Sequence, residues 1–383
     1  MPQTDSTNDT HDEKPIKAWL SRRGSHVSHW YSDSSLAKCH ARNALPKSVS
    51  HFFHPTRATF FGEPSDEGVM TQLWSSRAHR KHRYVYMSSF TQAARHKDRM
   101  WGRLALMRRI EYWNISWLVA QAFTWGSVVW VINGFAVFLP FCNSHFQKAP
   151  DAMGWTALIG ATIFEIGSIF GVWEVWNADF MAFESQAVGG DSLANGDKDM
   201  EVGVQNGDTQ MAEETNGKAY IWTHTLAEKP KPRPKWVWFS TSPKYWHQLG
   251  WYAAFFQLLA ASIFWISGFT ALPAIQDAIM THTGFLDGVF WVPQIVGGTG
   301  FVISSTFIML ESQHVWYIPR PLSLGWHVGF WNFVGGIGFT LCGIFGFYKA
   351  QWGQYQSALS TFWGGWAFLI GSVLQWYESV NSK

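Results

Sequence analysis

Six long apolar runs follow one another after residue 116, and polar sequence separates them. A helix needs about 20 mostly apolar residues to cross the hydrocarbon core of a bilayer, and each run is close to that length. The predicted spans are Trp117–Phe141, Trp155–Trp176, Leu249–Leu272, Val289–Leu310, Leu324–Phe347 and Leu359–Tyr377. The pattern therefore predicts an all-α membrane protein with six transmembrane helices.

Lysine and arginine are unevenly distributed around these runs. They cluster before the first and third spans, whereas the loops after the first, third and fifth spans carry only Lys148, none and Lys349. The positive-inside rule then predicts that both termini are cytosolic, in the plasma membrane or an endomembrane. The predicted parts are a cytosolic arm (1–111) with an amphipathic helix near its end, helical hairpins (112–176, 245–311 and 324–383), a disordered cytosolic loop with a basic lead-in (177–244) and a cytosolic connector (312–323).

The N-terminal arm lacks sustained periodicity up to about residue 86, so we predict that it is largely irregular. Its aromatic run HFFHPTRATFFGEP (51–64) is expected to dock on another part of the protein, and AHRKH (78–82) is interpreted as a solvated basic run. Ser89–Gln92 has the pattern of a capping box. It predicts a basic amphipathic helix through Ile110, which either lies on anionic lipid or continues into the first span.

An internal repeat is the strongest pattern in the sequence. The second, fourth and sixth spans end in FEIGSIFGVWE (Phe164–Glu174), FVISSTFIMLE (Phe301–Glu311) and FLIGSVLQWYE (Phe368–Glu378). At about 100° per residue, the leading Phe, the small residue and the final Glu share one stripe of each helix. The odd-numbered spans open with Trp113-Asn114, Trp246-His247 and Trp326-His327 and close with Gly134-Phe135, Gly268-Phe269 and Gly346-Phe347. These echoes predict three repeated hairpins with approximate three-fold pseudo-symmetry.

The third hairpin contains WNFVGGIGFTLCGIFGFY followed by FLIGSVLQ. On these motifs it resembles the small two-helix YrhK-type membrane domain, over roughly a sixth of the chain. The chain as a whole resembles multi-pass integral membrane proteins of filamentous fungi. The resemblance implies a helical membrane architecture and supplies no catalytic residues.

Glu165 is a candidate intramembrane site, because it lies near the middle of the second span. An ionisable group at that depth costs about 3 kcal/mol or more to insert, so we expect it to face the bundle interior. There it would handle protons or cations. The alternative is a structural role, in which a protonated Glu165 is hydrogen-bonded to an amide. The candidate partners are Gln121, Gln257 and Asn332.

The three span-ending glutamates Glu174, Glu311 and Glu378 form a second candidate site. We expect them to lie together at the cytosolic mouth of the bundle, close to His247 and His327. Glu–His pairs could sense pH, and a ring of carboxylates could attract cations. The alternative is that these residues simply end their spans at the lipid interface.

Composition narrows the classes of function. Charged residues make up only 15% of the chain and aromatic residues 17%, against about 25% charged residues in a soluble domain. A net charge of +2 is too small for a strongly basic nucleic-acid binder, and three scattered cysteines form no metal-binding pattern. Walker, GxGxxG, HExxH and GxSxG motifs are absent. We therefore expect no enzyme, catalytic residues, metal or cofactor.

Two functions remain in view. In the first, the protein is a transporter or channel for a small solute, ion or proton, which predicts a water-accessible cavity at Glu165. In the second, it is a structural, sensing or adaptor protein that presents its arm to cytosolic partners, which predicts a dry core. An intramembrane enzyme ranks third. The expected contacts are the bilayer, anionic headgroups on basic juxtamembrane segments, and cytosolic proteins.

Overall fold

A computed structural model describes residues 36–65, 68–81, 86–87, 100–143, 145–178, 180 and 235–381. The predicted capping box, Ser89–Gln92, lies outside these ranges. So does most of the loop that was predicted to be disordered, 181–234.

The six predicted transmembrane helices are confirmed. Spans 1 to 6 are Ile115–Cys142, Pro150–Trp176, Leu249–Thr270, Thr283–Ser312, Leu324–Gly346 and Gln351–Val380. Local signals fix several ends: the Asn114 side chain accepts a hydrogen bond from the Ser116 backbone N–H, and Pro150 occupies the first turn of span 2. Span 4 contains a π-helical stretch at Asp287–Trp291. A short helix, Pro273–Met280, precedes it.

The spans form a closed ring. Each span packs against the next along the chain, and span 6 packs against span 1. Where one hairpin meets the next, a glycine permits close approach: a Cβ at Gly134, Gly268 or Gly343 would lie 2.9, 2.7 or 2.6 Å from atoms of the neighbouring span. Small residues of this kind let helix backbones pack tightly in lipid.

Six aromatic rings fill the centre of the bundle, one from each span. This aromatic core has side chains that are at most 4% exposed, and it consists of Trp130, Phe164, Phe264, Phe301, Phe339 and Phe368. Neighbouring rings are in contact, with centroids 5.1 Å apart for Phe264 and Phe339 and 5.5 Å apart for Phe164 and Phe368. The leading Phe of each predicted repeat thus lies at the bundle centre.

The helix starts correct the predicted register of the odd-numbered spans. Trp117, Trp251 and Trp326 each lie third in their helix, whereas Trp113 and Trp246 precede theirs. At the far end, Gly343 rather than Gly346 occupies the position of Gly134 and Gly268. The predicted pairing went wrong because tryptophan is frequent around every span end.

The arm is more ordered than the sequence predicts. Four antiparallel strands pair in chain order: β1 (Leu36–Arg42), β2 (Arg57–Ser65), β3 (Gly68–Ser75) and β4 (Tyr86–Met87). Short helices cover Lys47–Ser50 and Ser76–Arg80. Strand β2 contains Gly62 and Pro64, and its pairing register shifts between Phe61 and Pro64. These residues interrupt the alternation by which a strand is recognised.

The predicted amphipathic helix is described only from Met100. It runs as an α-helix over Met100–Ala105 and as a 3₁₀ turn over Leu106–Arg108. The backbone is extended at Arg109, so this helix does not continue into span 1. The alternative of one continuous helix is wrong.

Candidate functional site

Three glutamates lie together at the end of the bundle where spans 2, 4 and 6 finish. Glu174, Glu311 and Glu378, the carboxylate ring, are 5%, 2% and 2% exposed. Each lies in the last turn of its helix, where the helix dipole adds negative potential. Three buried carboxylates at three helix C-termini require cations nearby. Ordinary headgroup contact does not account for residues this deeply buried.

The arm supplies those cations from the turn that follows β3. Arg77, Arg80 and Lys81, the basic turn, are all buried. The Arg80 guanidinium donates two hydrogen bonds to Glu311, Nη1 to Oε1 at 2.7 Å and Nη2 to Oε2 at 2.8 Å. Arg77 binds Glu378 in the same bidentate manner, with Nε 3.0 Å and Nη2 2.6 Å from the two carboxylate oxygens. Lys81 Nζ lies 3.5 Å from Glu174 Oε1.

Longer contacts join the three pairs into one network. Lys81 Nζ is 3.9 Å from Glu378, and Arg77 Nη1 is 4.0 Å from Glu311. The Ser76 hydroxyl also donates to Glu311 at 2.8 Å. One segment of the arm therefore contacts a carboxylate of each hairpin.

Small residues at the starts of the odd-numbered spans make room for this turn. A Cβ at Gly250 would overlap the Arg80 guanidinium, and one at Gly325 would lie 2.6 Å from Arg77 Nε. The corresponding second residue of span 1 is Ser116, whose hydroxyl donates to Glu174. Gly250 and Gly325 thus lie against the bulky guanidinium groups of the two arginines. In the first hairpin, where the cation is the smaller lysine, the corresponding residue is Ser116.

Burial and pairing act in opposite directions on the basic turn. Burial lowers the pKa of Arg80, but the three carboxylates of the ring, Glu311 foremost, together outweigh burial and raise the pKa above its usual value. The pKa of Arg77 is likewise raised, because Glu378 and Glu311 together outweigh burial. For Lys81 burial dominates over Glu174 and Glu378, and its pKa is lowered. Bidentate pairing thus compensates the burial of the two arginines more fully than two longer contacts compensate the burial of Lys81.

The predicted Glu–His pairs are not formed. The His247 ring lies 2.6 Å from the Phe52 carbonyl oxygen through Nδ1, and the His327 ring lies 2.6 Å from the Pro321 carbonyl oxygen through Nε2. The His54 N–H donates to the His247 carbonyl at 2.6 Å. Phe53 packs against Tyr252 with ring centroids 5.6 Å apart. Docking of the aromatic run is therefore confirmed, and His247 serves that contact.

The prediction that Glu165 faces the bundle interior is wrong. The preceding residue, Phe164, points to the aromatic core, so Glu165 lies half-buried on the outer side of the ring at the seam between spans 2 and 3. Its Oε1 accepts a hydrogen bond of 2.9 Å from Ser262, which is exposed.

The predicted amide partners of Glu165 lie apart from it. Gln257 Oε1 accepts a hydrogen bond of 2.8 Å from Ser304 at the seam of spans 3 and 4. Asn332 lies against Gly371, and Gln121 is half-buried in span 1. The structure does not bring these four residues together.

Sequence reasoning missed the basic turn, because AHRKH was interpreted as a solvated run. Its signal was spacing: residues 77, 80 and 81 lie three and four apart, so they share one face of a helical turn. Three basic residues on one face equal the three carboxylates in number and are opposite to them in charge. In the described ranges, no group of three His, Cys, Asp or Glu residues is arranged to hold a metal.

Comparisons with known protein families, curated proteins and solved structures identify no relative of the chain. No family model, no curated protein and no solved structure matches the chain significantly. The resemblances to the YrhK-type domain and to fungal membrane proteins stay predictions. The structure therefore describes a six-span membrane protein in which basic residues of the N-terminal arm pair with three buried carboxylates of the helix bundle.

Proposed function

We propose that the protein is a membrane scaffold, in which the six-helix bundle holds the N-terminal arm at the cytosolic membrane face for partners to bind. The observation that carries this proposal is the insertion of the basic turn into the carboxylate ring. An arm that was only a tether would need no buried contact with every hairpin.

The pairing makes docking close to all-or-none. Removing one partner of a buried ion pair leaves an uncompensated charge, at a cost of about 3–5 kcal/mol. Because Arg77, Arg80 and Lys81 follow one another within a single turn, withdrawing one cation withdraws the others. The arm is therefore held in one position relative to the bundle.

Transport has less support. A central pathway would have to pass the aromatic core, where rings from all six spans are in contact. Glu165, the residue that suggested transport, lies on the outer side of the bundle next to Ser262. These placements favour the scaffold function.

We also propose that the three hairpins are repeats of one ancestral unit. Each contributes a tryptophan third in its first helix, two rings to the aromatic core and one glutamate to the carboxylate ring. Cytosolic termini remain our proposal for the orientation, supported by the distribution of lysine and arginine.

The test combines flux and arm protection in proteoliposomes that contain the full chain. The scaffold function predicts no proton or potassium flux, and resistance of residues 36–81 to protease. The double variant Arg77→Gln/Arg80→Gln should lose that resistance, whereas Lys244→Gln, an exposed basic residue, should keep it.

Two results would contradict the scaffold function. Flux that Glu165→Gln abolishes would establish transport. Flux that appears only in the double variant would establish a channel for which the arm is the gate.

A further inference from the structure

A second group of basic residues lies where the sheet meets the end of span 4. Arg42 and Arg57 are directly opposite each other on β1 and β2. The Arg57 guanidinium donates to the Ser312 carbonyl oxygen through Nη2, and its Nη1 lies 2.9 Å from the His314 ring. Arg320, from the connector to span 5, approaches the same Ser312 oxygen at 3.4 Å. The arm and the connector therefore both bring basic side chains to the Ser312 carbonyl oxygen at the end of span 4.

This group differs from the basic turn in having no ion-paired carboxylate among the described residues. Among the described residues, no carboxylate lies within 4.0 Å of Arg42, Arg57 or Arg320. Like charges directly opposite on paired strands are destabilising, with Cβ atoms about 5 Å apart. Burial and Arg320 lower the pKa of Arg57 to about 10, with partial opposition from Glu311. The arrangement concentrates positive charge.

Most donors of the group have no acceptor among the described residues. Each guanidinium carries five N–H donors; Arg57 directs one to the Ser312 carbonyl oxygen and one to the His314 ring, and Arg320 directs one to Ser312. The fork of an arginine matches the oxygens of a phosphate group. Arg42 is exposed, so an anion has access from solvent or from the lipid headgroups.

The surroundings indicate the headgroup region of a membrane. The connector next to Arg320 exposes large apolar side chains, and it joins the ends of two transmembrane helices. These exposed residues are Trp316, Tyr317, Ile318 and Leu322. Tryptophan and tyrosine at span ends are typical of the lipid interface. A ligand held here is therefore expected to be a lipid rather than a soluble metabolite.

We propose that Arg42, Arg57, His314 and Arg320 form a binding site for the phosphomonoester headgroup of an anionic lipid. A phosphomonoester offers more charge and more acceptor oxygens than the phosphodiester of an ordinary phospholipid. The headgroup would bridge the arm to the connector and offset the repulsion between the arginines. The site rests on this geometry alone and does not depend on the scaffold function.

The experiment measures lipid binding by the full chain in nanodiscs of neutral lipid. Fluorescent phosphatidate and fluorescent phosphatidylserine are the probes. Each arginine near a membrane surface contributes about 1 kcal/mol, or about fivefold in affinity. We expect phosphatidate to bind more tightly than phosphatidylserine. Arg57→Gln/Arg320→Gln should remove that preference, with a loss of about 25-fold for phosphatidate.

A matched control separates this site from general charge attraction. Arg108→Gln/Arg109→Gln removes two exposed juxtamembrane arginines. It should weaken both lipids equally and leave the preference intact. Arg42→Gln leaves the contacts with span 4 in place, so its expected fivefold loss for phosphatidate does not depend on arm docking. Protease resistance of the arm verifies that each variant is folded.

Three results would overturn the proposal. The first is equal affinity of the wild-type protein for the two lipids. The second is a loss in Arg57→Gln/Arg320→Gln that is no more selective than in the control. The third is competition by soluble glycerol phosphate at the concentration of the lipid, which would identify a free phosphate as the ligand.

Discussion

Glu165 and Glu174 belong to the same transmembrane helix and have opposite environments. Glu165, near the middle of span 2, lies on the outer side with one hydroxyl partner. Glu174, in its last turn, is buried with Lys81 and Ser116. Nine residues at about 100° each place the two on opposite faces of the helix. Angular position, rather than depth along the span, decides which carboxylate enters the bundle.

The largest effect is expected from breaking one pair of the carboxylate ring. Arg80→Gln leaves Glu311 buried without its main cation, so arm docking should lose about 3–5 kcal/mol. Protease resistance of the arm, titrated with denaturant, measures this loss. The double variant Arg80→Gln/Glu311→Gln should recover most of it, because no charge is left unpaired. A double variant that shows the sum of the two single losses would contradict the pairing.

The second prediction concerns the match between cation size and the facing residue. Gly250→Ser places atoms where the Arg80 guanidinium lies and should weaken arm docking by about 1–3 kcal/mol. Adding Arg80→Lys should restore part of the loss, because this pair reproduces Ser116 with Lys81 in the first hairpin. The same denaturant titration checks it. No restoration in Gly250→Ser/Arg80→Lys would mean that residue size does not select the cation.

A smaller effect is expected from pH. Burial lowers the pKa of Lys81 in the docked arm, below the 10.5 of an unperturbed lysine. The undocked arm then binds more protons, so docking becomes more stable as pH rises toward 10.5. Arg77 and Arg80 have raised pKa values, and their contribution stays constant below 12.5. Arm protection measured against pH should slope upward in the wild-type protein and be flat in Lys81→Met.

The smallest effect is expected at Glu165. Glu165→Gln keeps an oxygen that can accept from Ser262, so bundle stability should change by less than about 1 kcal/mol. Glu174→Gln, in the same helix, should weaken arm docking far more, because Lys81 loses its nearest carboxylate. Thermal unfolding in detergent and arm protection together distinguish the two variants. Equal effects would remove the contrast between inner and outer faces.

The spans could be predicted from the sequence, because a run of about twenty apolar residues satisfies its backbone hydrogen bonds in a membrane by forming a helix. The sequence predicts that the three glutamates lie close together, because each lies on the same face of its helix as the leading Phe of its motif. That face points into the bundle, so the glutamates are buried as the Phe side chains are. The same stripe also places Glu165 outside, since it directly follows Phe164. Depth along the span does not determine the face of the helix on which Glu165 lies.

The arm could not be predicted in the same way. Its sheet depends on pairing between segments far apart in sequence, such as Arg42 with Arg57, and β2 lacks regular alternation. The position in which the sheet docks decides which side chains pair with the carboxylate ring. The basic turn pairs with it, whereas His247 and His327 do not. Spacing of the three cations was visible in the sequence, but their burial was not.

The contact between Arg77 and Glu378 spans 301 positions of the chain. A ribosome makes the arm before the spans, and Glu378 only in the last turn of the sixth helix. Arg77 therefore has no bidentate partner until the sixth helix has been made. The pair of Arg77 with Glu378 therefore joins a residue made before any span to one in the sixth, so its formation reports that all six spans are in place.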